Sequence, residues 1–351
     1  MATMHDVAKL AGVSVSTVSY ALTGARPVSE KTRARVQVAM DELGYQPNAI
    51  ARSLASRRTR IIAMLFPSIE RGLSGTALEF VTAAAETARE RGYHLVLWPI
   101  GDDEVGETRA LIHQHLADGV LVMEVRLDDP RVGLLRESRT PFTLIGRTAD
   151  SEALDYADID FEATVRDALE HIVGLGHRHI ALLSHSKTSH DAGYGPTVRV
   201  GEAFSRYMAE HGLGTVIYHC DDSADAGRAA VNELFDTNPE ITALVTMNDS
   251  ATLGAVAELL ESGRRIPDDI SVLSIVSSPR VGALSHPRLT TMSAPGPELG
   301  RLGVTSLIDR IESGDRAILH ELVPCRLDLQ ATTGVPPDRA PYRRPRTANP
   351  S

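Results

Sequence analysis

Over the first 46 residues, apolar positions recur at helical spacing in three short groups. Val7, Ala8, Leu10 and Ala11 follow Thr3 and Asp6, whose spacing is that of a capping box, and Gly12 can end this first helix by taking positive φ. Ser14 can cap a second helix with Val18, Ala21 and Leu22 on one face, and Ser29 a third carrying Val36, Met40 and Leu43 up to Gly44. Beyond residue 60 the pattern changes to continuous apolar runs at 60–66, 94–98, 119–125, 142–146, 179–184, 215–219, 242–247 and 271–276. Longer amphipathic stretches such as TALEFVTAAAETARERGY and RVGEAFSRYMAEHGL lie between them. Such runs alternating with helices predict parallel sheets covered on both faces. Eight runs exceed one comfortable sheet, so the predicted fold is a small all-α head followed by a two-lobed α/β body, with a crossing near 155–162 and a return near 290–330.

Composition adds a partner to this picture. With 42% hydrophobic and 23% charged residues in 351, the chain has the balance of ordinary soluble globular domains. No stretch reaches the roughly 18 apolar residues of a membrane span, and the start MATMHDVAKLAGVS lacks the basic-then-apolar order of a signal peptide, so a cytoplasmic protein without membrane contact is expected. Cys220 and Cys325 are far apart and form no C-x-x-C pair, which predicts reduced, packed thiols. The formal net charge is −10, yet residues 1–60 hold nine of the 36 Lys and Arg and only four of the 46 Asp and Glu. A basic head on an acidic body suits a polyanion, because Lys and Arg that neutralise phosphates release condensed counterions.

At about 100° per residue, Val18, Ala21 and Leu22 point one way on the second helix while Ser16, Ser19 and Tyr20 point roughly opposite, with Val15 and Thr17 between. A helix, a glycine-bearing turn and a second helix offering hydroxyls and an aromatic ring outward is the helix-turn-helix arrangement, whose second helix enters the DNA major groove. From these residues alone, an amphipathic helix with a solvated face remains the alternative.

The segments DVAKLAGVSVSTVSYALTG and VSEKTRARVQVAMDELGYQPNAIARSL resemble, without a gap, the head and hinge of the LacI family of bacterial transcription regulators. HIVGLGHRHIALL, VRVGEAF, ALVTMNDSATLGAV, RIPDDISVLS and HPRLTTMSAPGPELGRLGV resemble the family's regulatory domain, whose fold is that of the two-lobed periplasmic-binding-protein-like proteins. The resemblance implies a helix-turn-helix domain at 1–46, a hinge helix and linker at 47–59, an effector-binding and dimerisation domain at 60–332, and a disordered Pro/Arg-rich tail at 333–351. It implies a homodimer on double-stranded, pseudo-palindromic operator DNA, and a repressor that responds to a small effector, sugar-like in character. Val15, Ser16 and Tyr20 then occupy base-reading positions, Thr17 and Ser19 phosphate-bonding ones, and Arg26 and Tyr45 further DNA contacts. Tyr20 stands where many relatives carry arginine. In PNAIARSLASRRTR, Leu54 matches the wedge of the paired hinge helices in the minor groove, flanked by Arg52, Arg57 and Arg58.

For the effector, Arg199 and Asn248 match cleft positions of the family, and Glu124, Arg147 and Tyr194 are further candidates. Gly146 stands where an Asp is usual, and Val276 where the Asp of a G-F-D-D run would stand. The H-x-H pairs His113/His115 and His177/His179 lack a third ligand at zinc spacing. No G-x-S-x-G, P-loop or dinucleotide fingerprint occurs, so neither catalysis nor a cofactor is expected.

Overall fold

A computed structural model describes residues 2–23, 26–45, 58–67, 75–101, 103–314 and 317–338. In the head, α1 (Met4–Ala11) starts at a complete capping box: Asp6 N–H donates to Thr3 Oγ1 at 3.3 Å and Thr3 N–H to Asp6 Oδ2 at 2.8 Å. Gly12 ends it at φ 63°. Ser14 Oγ accepts Thr17 N–H at 3.1 Å at the start of α2 (Val15–Thr23), and α3 (Glu30–Leu43) runs from the Ser29 cap to Gly44. Val7, Ala8, Ala11, Val18, Val36, Ala39 and Met40 form a small core of their own. Leu10, counted with the apolar positions of α1, is half exposed, and Ala21, Leu22 and Leu43 are only partly buried.

The first lobe of the body contains β1 (Ile61–Pro67), α4 (Gly75–Glu90), β2 (His94–Ile100), α5 (Glu104–Gln114), β3 (Gly119–Val122), α6 (Pro130–Glu137), β4 (Phe142–Ile145) and β5 (Tyr156–Ile159). The second contains α7 (Phe161–Gly174), β6 (Ile180–Ser184), α8 (Lys187–Asp191), α9 (Gly195–Glu210), β7 (Val216–His219), α10 (Ala224–Thr237), β8 (Ala243–Thr246), α11 (Asp249–Glu261), β9 (Ser271–Ser277), α12 (Pro279–Gly282) and β10 (Thr290–Ser293). The chain then returns to the first lobe with α13 (Gly296–Ser313) and β11 (His320–Val323), and ends in the second with β12 (Arg326–Asp328). The first sheet has the order β11-β5-β4-β3-β1-β2 and is parallel throughout. The second, β12-β10-β9-β8-β6-β7, is parallel except for the edge strand β12.

The chain therefore crosses between lobes three times, once before α7 and twice in the region of the expected return. One buried apolar cluster extends through both lobes, from Ile62 and Leu121 to Phe204 and Leu273. α13 packs against α4 at close range because Gly300 carries no Cβ: one there would lie 2.5 Å from the Phe80 carbonyl oxygen. All eight apolar runs contain strands, while β5, β10, β11 and β12 arise outside them. Two runs stop short of their apolar ends, because Glu124 at φ 54° and Gly146 at φ 114° turn the backbone out of the sheet. The packed body passes the boundary at 332: Thr333 Oγ1 lies 3.1 Å from His171 Nε2, and Gly334 N–H donates to Ser271 Oγ at 3.0 Å. The rest of the tail from 339, and the hinge stretch 46–57 with Arg52, Leu54 and Arg57, lie outside the described residues. Among the described residues no helix is long and apolar enough to cross a membrane.

Candidate functional site

Two surfaces gather the residues singled out in the sequence. On α2, Val18 is fully buried among α1 and α3, which turns Val15 and Ser16 out to solvent, with Thr17, Ser19 and Tyr20 half-buried. Ser14 Oγ bonds the hydroxyls of Ser16 and Thr17 at 2.9 and 2.8 Å, which ties the first turn together through its polar face. The Arg26 guanidinium sits over the Tyr20 ring, 5.4 Å from its centroid, so a cation accompanies the outward aromatic. Tyr45 packs against the rim of the head core.

In the body, a cavity of about 250 Å³ lies between the two sheets, at the carboxyl ends of their strands, where open α/β sheets hold ligands. Glu124, Arg147, Tyr194, Arg199 and Asn248 all line it. Glu124 follows β3, and its positive φ is held by Arg131, whose Nη2 donates to the Met123 and Glu124 carbonyls at 3.1 and 3.0 Å. Arg131 is 1% exposed and is paired with Asp129 at 2.6 Å. The Glu124 carboxylate has no hydrogen-bond or ion-pair partner among the described residues.

Arg147 and Arg199 converge on Asp158 of β5. Arg147 Nε donates to Asp158 Oδ2 at 3.2 Å, Arg199 Nη1 lies 3.8 Å from the same oxygen, and Ile159 N–H donates to Oδ1 at 2.8 Å. Burial nevertheless dominates: it pushes the Asp158 carboxyl up to about 6 despite two neighbouring guanidiniums, and holds Arg199 below its ordinary value. The other side of the Arg199 fork donates to the carbonyls of Arg147 and Thr148 at 2.8 and 3.2 Å, so this second-lobe side chain is fastened to the first lobe.

Across the cavity, Asn248 caps α11 through Ala251 N–H at 3.1 Å and donates its amide to Asp222. His185 Nδ1 lies 2.8 Å from the same Asp222 oxygen. Asp249 accepts Ser277 Oγ–H at 2.7 Å and Thr76 Oγ1–H at 3.0 Å, and its burial raises its pKa. Asp158, His185, Asp222 and Asp249 were not singled out from the sequence. Three of them follow directly on the carboxyl ends of the apolar runs at 179–184, 215–219 and 242–247, so extending those runs by a few residues finds them. Asp158 lies in β5, which has no apolar run to announce it.

Gly146 and Val276, where carboxylates are usual, both stand at positive φ beside the cavity, and a Cβ on Gly146 would lie 3.1 Å from Val125. His177 is fully buried, with ring nitrogens at 2.8 and 3.0 Å from the hydroxyls of Thr242 and Ser271 and at 2.9 Å from the Gly334 carbonyl. It fastens the end of the body to the second sheet. Among the described residues no three His, Cys, Asp or Glu side chains are placed to hold a metal, and both cysteines are free and buried. The cavity is thus equipped to bind, through carboxylates, guanidiniums and an apolar wall that includes Phe66, Phe80 and Phe161.

Residues 3–48 match the family described as bacterial regulatory proteins, lacI family, and residues 169–333 match a periplasmic binding protein-like domain. The HTH-type transcriptional regulator CelR of Thermobifida fusca is 33% identical over 88% of this chain and 92% of its own length. A solved complex of the transcriptional regulator CelR with cellobiose superposes with a TM-score of 0.70 at 28% identity, over 95% of this chain and all of the other. The lac repressor dimer bound to operator and the anti-inducer ONPF superposes at 0.81 with 27% identity, over 95% and 99% of the two chains. Head, two-sheet body and full-length similarity agree: the chain belongs to the LacI family of bacterial regulatory proteins, and is a transcriptional regulator with a helix-turn-helix DNA-binding head and an effector-binding domain rather than an enzyme.

Proposed function

We propose that the protein works in the cytoplasm as a homodimeric repressor, binding a pseudo-palindromic operator through α2 of each head and releasing it when a small polyhydroxylated metabolite, a sugar or sugar derivative, occupies the cavity. The cavity carries this reading, because its walls come from both lobes. A ligand that touches both lobes distinguishes between their relative positions, and differential affinity for two arrangements is what shifts an equilibrium. The cellobiose bound by CelR and the operator bound by the lac repressor dimer support the same assignment. In this reading Val15, Ser16 and Tyr20 meet base edges, Thr17 and Ser19 bond phosphates, Arg26 and Tyr45 make further DNA contacts, and Arg52 and Leu54 act in the minor groove. Glu124, Arg147, Tyr194, Arg199 and Asn248 hold the effector, together with Asp158 and Asp222.

The test has two arms. Gel shifts with genomic fragments at two salt concentrations are expected to find a fragment bound specifically and more weakly at high salt; no specific fragment would remove the operator. A thermal-shift screen of sugars and sugar derivatives is expected to find a stabilising compound, since ligand at about 100 times its Kd adds about 2.7 kcal/mol. Arg199→Ala is expected to abolish that shift and leave DNA binding intact.

A further inference from the structure

The two lobes are joined at opposite sides of the cavity by different chemistry. On one side Arg199 reaches first-lobe carbonyls. On the other, a single carboxylate bridges the lobes. Asp249, the first residue of α11, takes Ser277 Oγ–H from its own lobe at 2.7 Å and Thr76 Oγ1–H from the first turn of α4, in the opposite lobe, at 3.0 Å. The Thr76 backbone N–H bonds the same carboxylate. The first turn of a helix has backbone donors without intrahelical partners and a partial positive charge, and α4 has this end served by an acid from the other lobe. The lobes are close here: a Cβ on Gly75 would lie 3.0 Å from Val281 of α12. Thr76 is buried, and both Thr76 and Asp249 line the cavity.

We propose that the Thr76–Asp249 contact is a catch between the lobes, and that an effector works against it by exchanging with Thr76 for the Asp249 carboxylate. The exchange rests on the effector reading given above; the catch itself does not need a ligand to be tested. The chemistry at this end is defined by the carboxylate. A ligand hydroxyl or N–H replaces the Thr76 donor like for like, whereas a ligand carboxylate or phosphate brings a like charge to a buried acid. The end of the ligand facing α4 is therefore a neutral or cationic hydrogen-bond donor.

Ser277 supplies an internal control, because it donates to the same carboxylate without crossing the cleft. Amide hydrogen exchange on the full-length protein, with no ligand added, compares wild type with T76V, T76S and S277A. T76V keeps the side-chain shape and removes the hydroxyl donor, leaving the backbone N–H in place. Exchange is expected to quicken about tenfold, equivalent to about 1.4 kcal/mol, in the first turns of α4 and α11 together, on opposite lobes. T76S is expected to behave as wild type, and S277A to quicken second-lobe segments only. A T76V effect confined to α4, no effect, or the two-lobe pattern in S277A would overturn the catch. T76A replaces T76V if the latter does not reach a native circular dichroism spectrum. Failure here leaves specific DNA binding and ligand-induced stabilisation standing, so the regulator reading is judged by its own two assays.

Discussion

Asp158 gives the body a pH dependence whose sign is opposite to that of most carboxylates in ion pairs. Its side chain is buried, 5% exposed, between Arg147 and Arg199, and its pKa rises from 3.8 to about 6 because burial outweighs both cations. Between these two values the folded state holds the proton more tightly than the unfolded state, so stability falls as pH rises, and the cost is complete above the folded pKa. A difference of roughly 2.2 units corresponds to about 3 kcal/mol, of which about 1.4 kcal/mol falls between about pH 5 and pH 8. Asp158→Asn carries no such proton. Its neutral amide meets the two guanidiniums in the same way at every pH, so its own contribution is a constant offset between the curves. Urea unfolding of wild type and D158N across this range is therefore expected to show the wild type losing about 1.4 kcal/mol relative to the variant as pH rises. Parallel profiles would refute the shift. In an extension of the titration below about pH 5, a wild type that gains on D158N as pH rises would mean that the arginines, and not burial, govern this carboxyl.

Three other substitutions probe separate parts of the molecule. Val18→Ala removes two methyl-sized groups from a fully buried site in the small head core, which is expected to cost about 2 kcal/mol of head stability and leave the melting of the body unchanged; an unmoved head transition would displace Val18 as the inward anchor of α2. Arg131→Met leaves Asp129 buried without its cation and frees two carbonyls at the end of β3, for an expected loss of about 3–5 kcal/mol in urea unfolding, against which a loss below about 1 kcal/mol would count. Tyr20→Ala is expected to lower specific operator binding by about 1–3 kcal/mol while changing non-specific binding little, measured by competition gel shift; equal losses on both would assign Tyr20 to the backbone rather than to a base.

The architecture was legible where burial is complete. Strands covered on both faces must be continuous apolar runs, and β1, β3, β4, β6, β8 and β9 are read directly from them. The four strands without such a run are short and polar for different reasons. β11 and β12 are edge strands whose side chains are mostly exposed, so HELV and RLD carry no apolar signal. β10 is buried but carries Thr290, which is hydrogen-bonded to Thr332, Thr333 and Gln330 in the returning chain, and Thr291, whose hydroxyl pairs with that of Ser293. β5 is interrupted by Asp158 itself. Of the five cleft candidates, Arg199 and Asn248 came from family resemblance and Glu124 from its place at a strand's carboxyl end; with Arg147 and Tyr194, the fold brings all five to one cavity. What the sequence could not display was pairing. That Arg199 is fastened to carbonyls of the opposite lobe, or that Arg26 covers Tyr20, depends on distances between segments with no pattern linking them.

The carboxylates that line the cavity change what the missing acids at 146 and 276, at the ends of β4 and β9, mean for the ligand. Gly146 and Val276 leave those two strand ends without an acid, yet the cavity is lined by Glu124, Asp158, Asp222 and Asp249. Asp158 lies on β5, the strand next to β4, and Asp249 is bonded to Ser277 beside Val276, so acids from neighbouring elements stand near both vacated positions. Three of these four are already engaged: Asp158 by two arginines, Asp222 by His185 and Asn248, and Asp249 by Thr76 and Ser277. Only Glu124 offers a carboxylate with no partner among the described residues. A ligand entering such a site gains little by filling open valences. It must exchange with bonds that tie the walls together, and the net energy of exchanging one hydrogen bond for another is small beside the energy of either. Three of the bonds in question, Arg199 to the carbonyls of Arg147 and Thr148 and Thr76 to Asp249, run between lobes. Under the proposed effector reading, those exchanges between lobes are the step that would convert binding into movement of one lobe against the other.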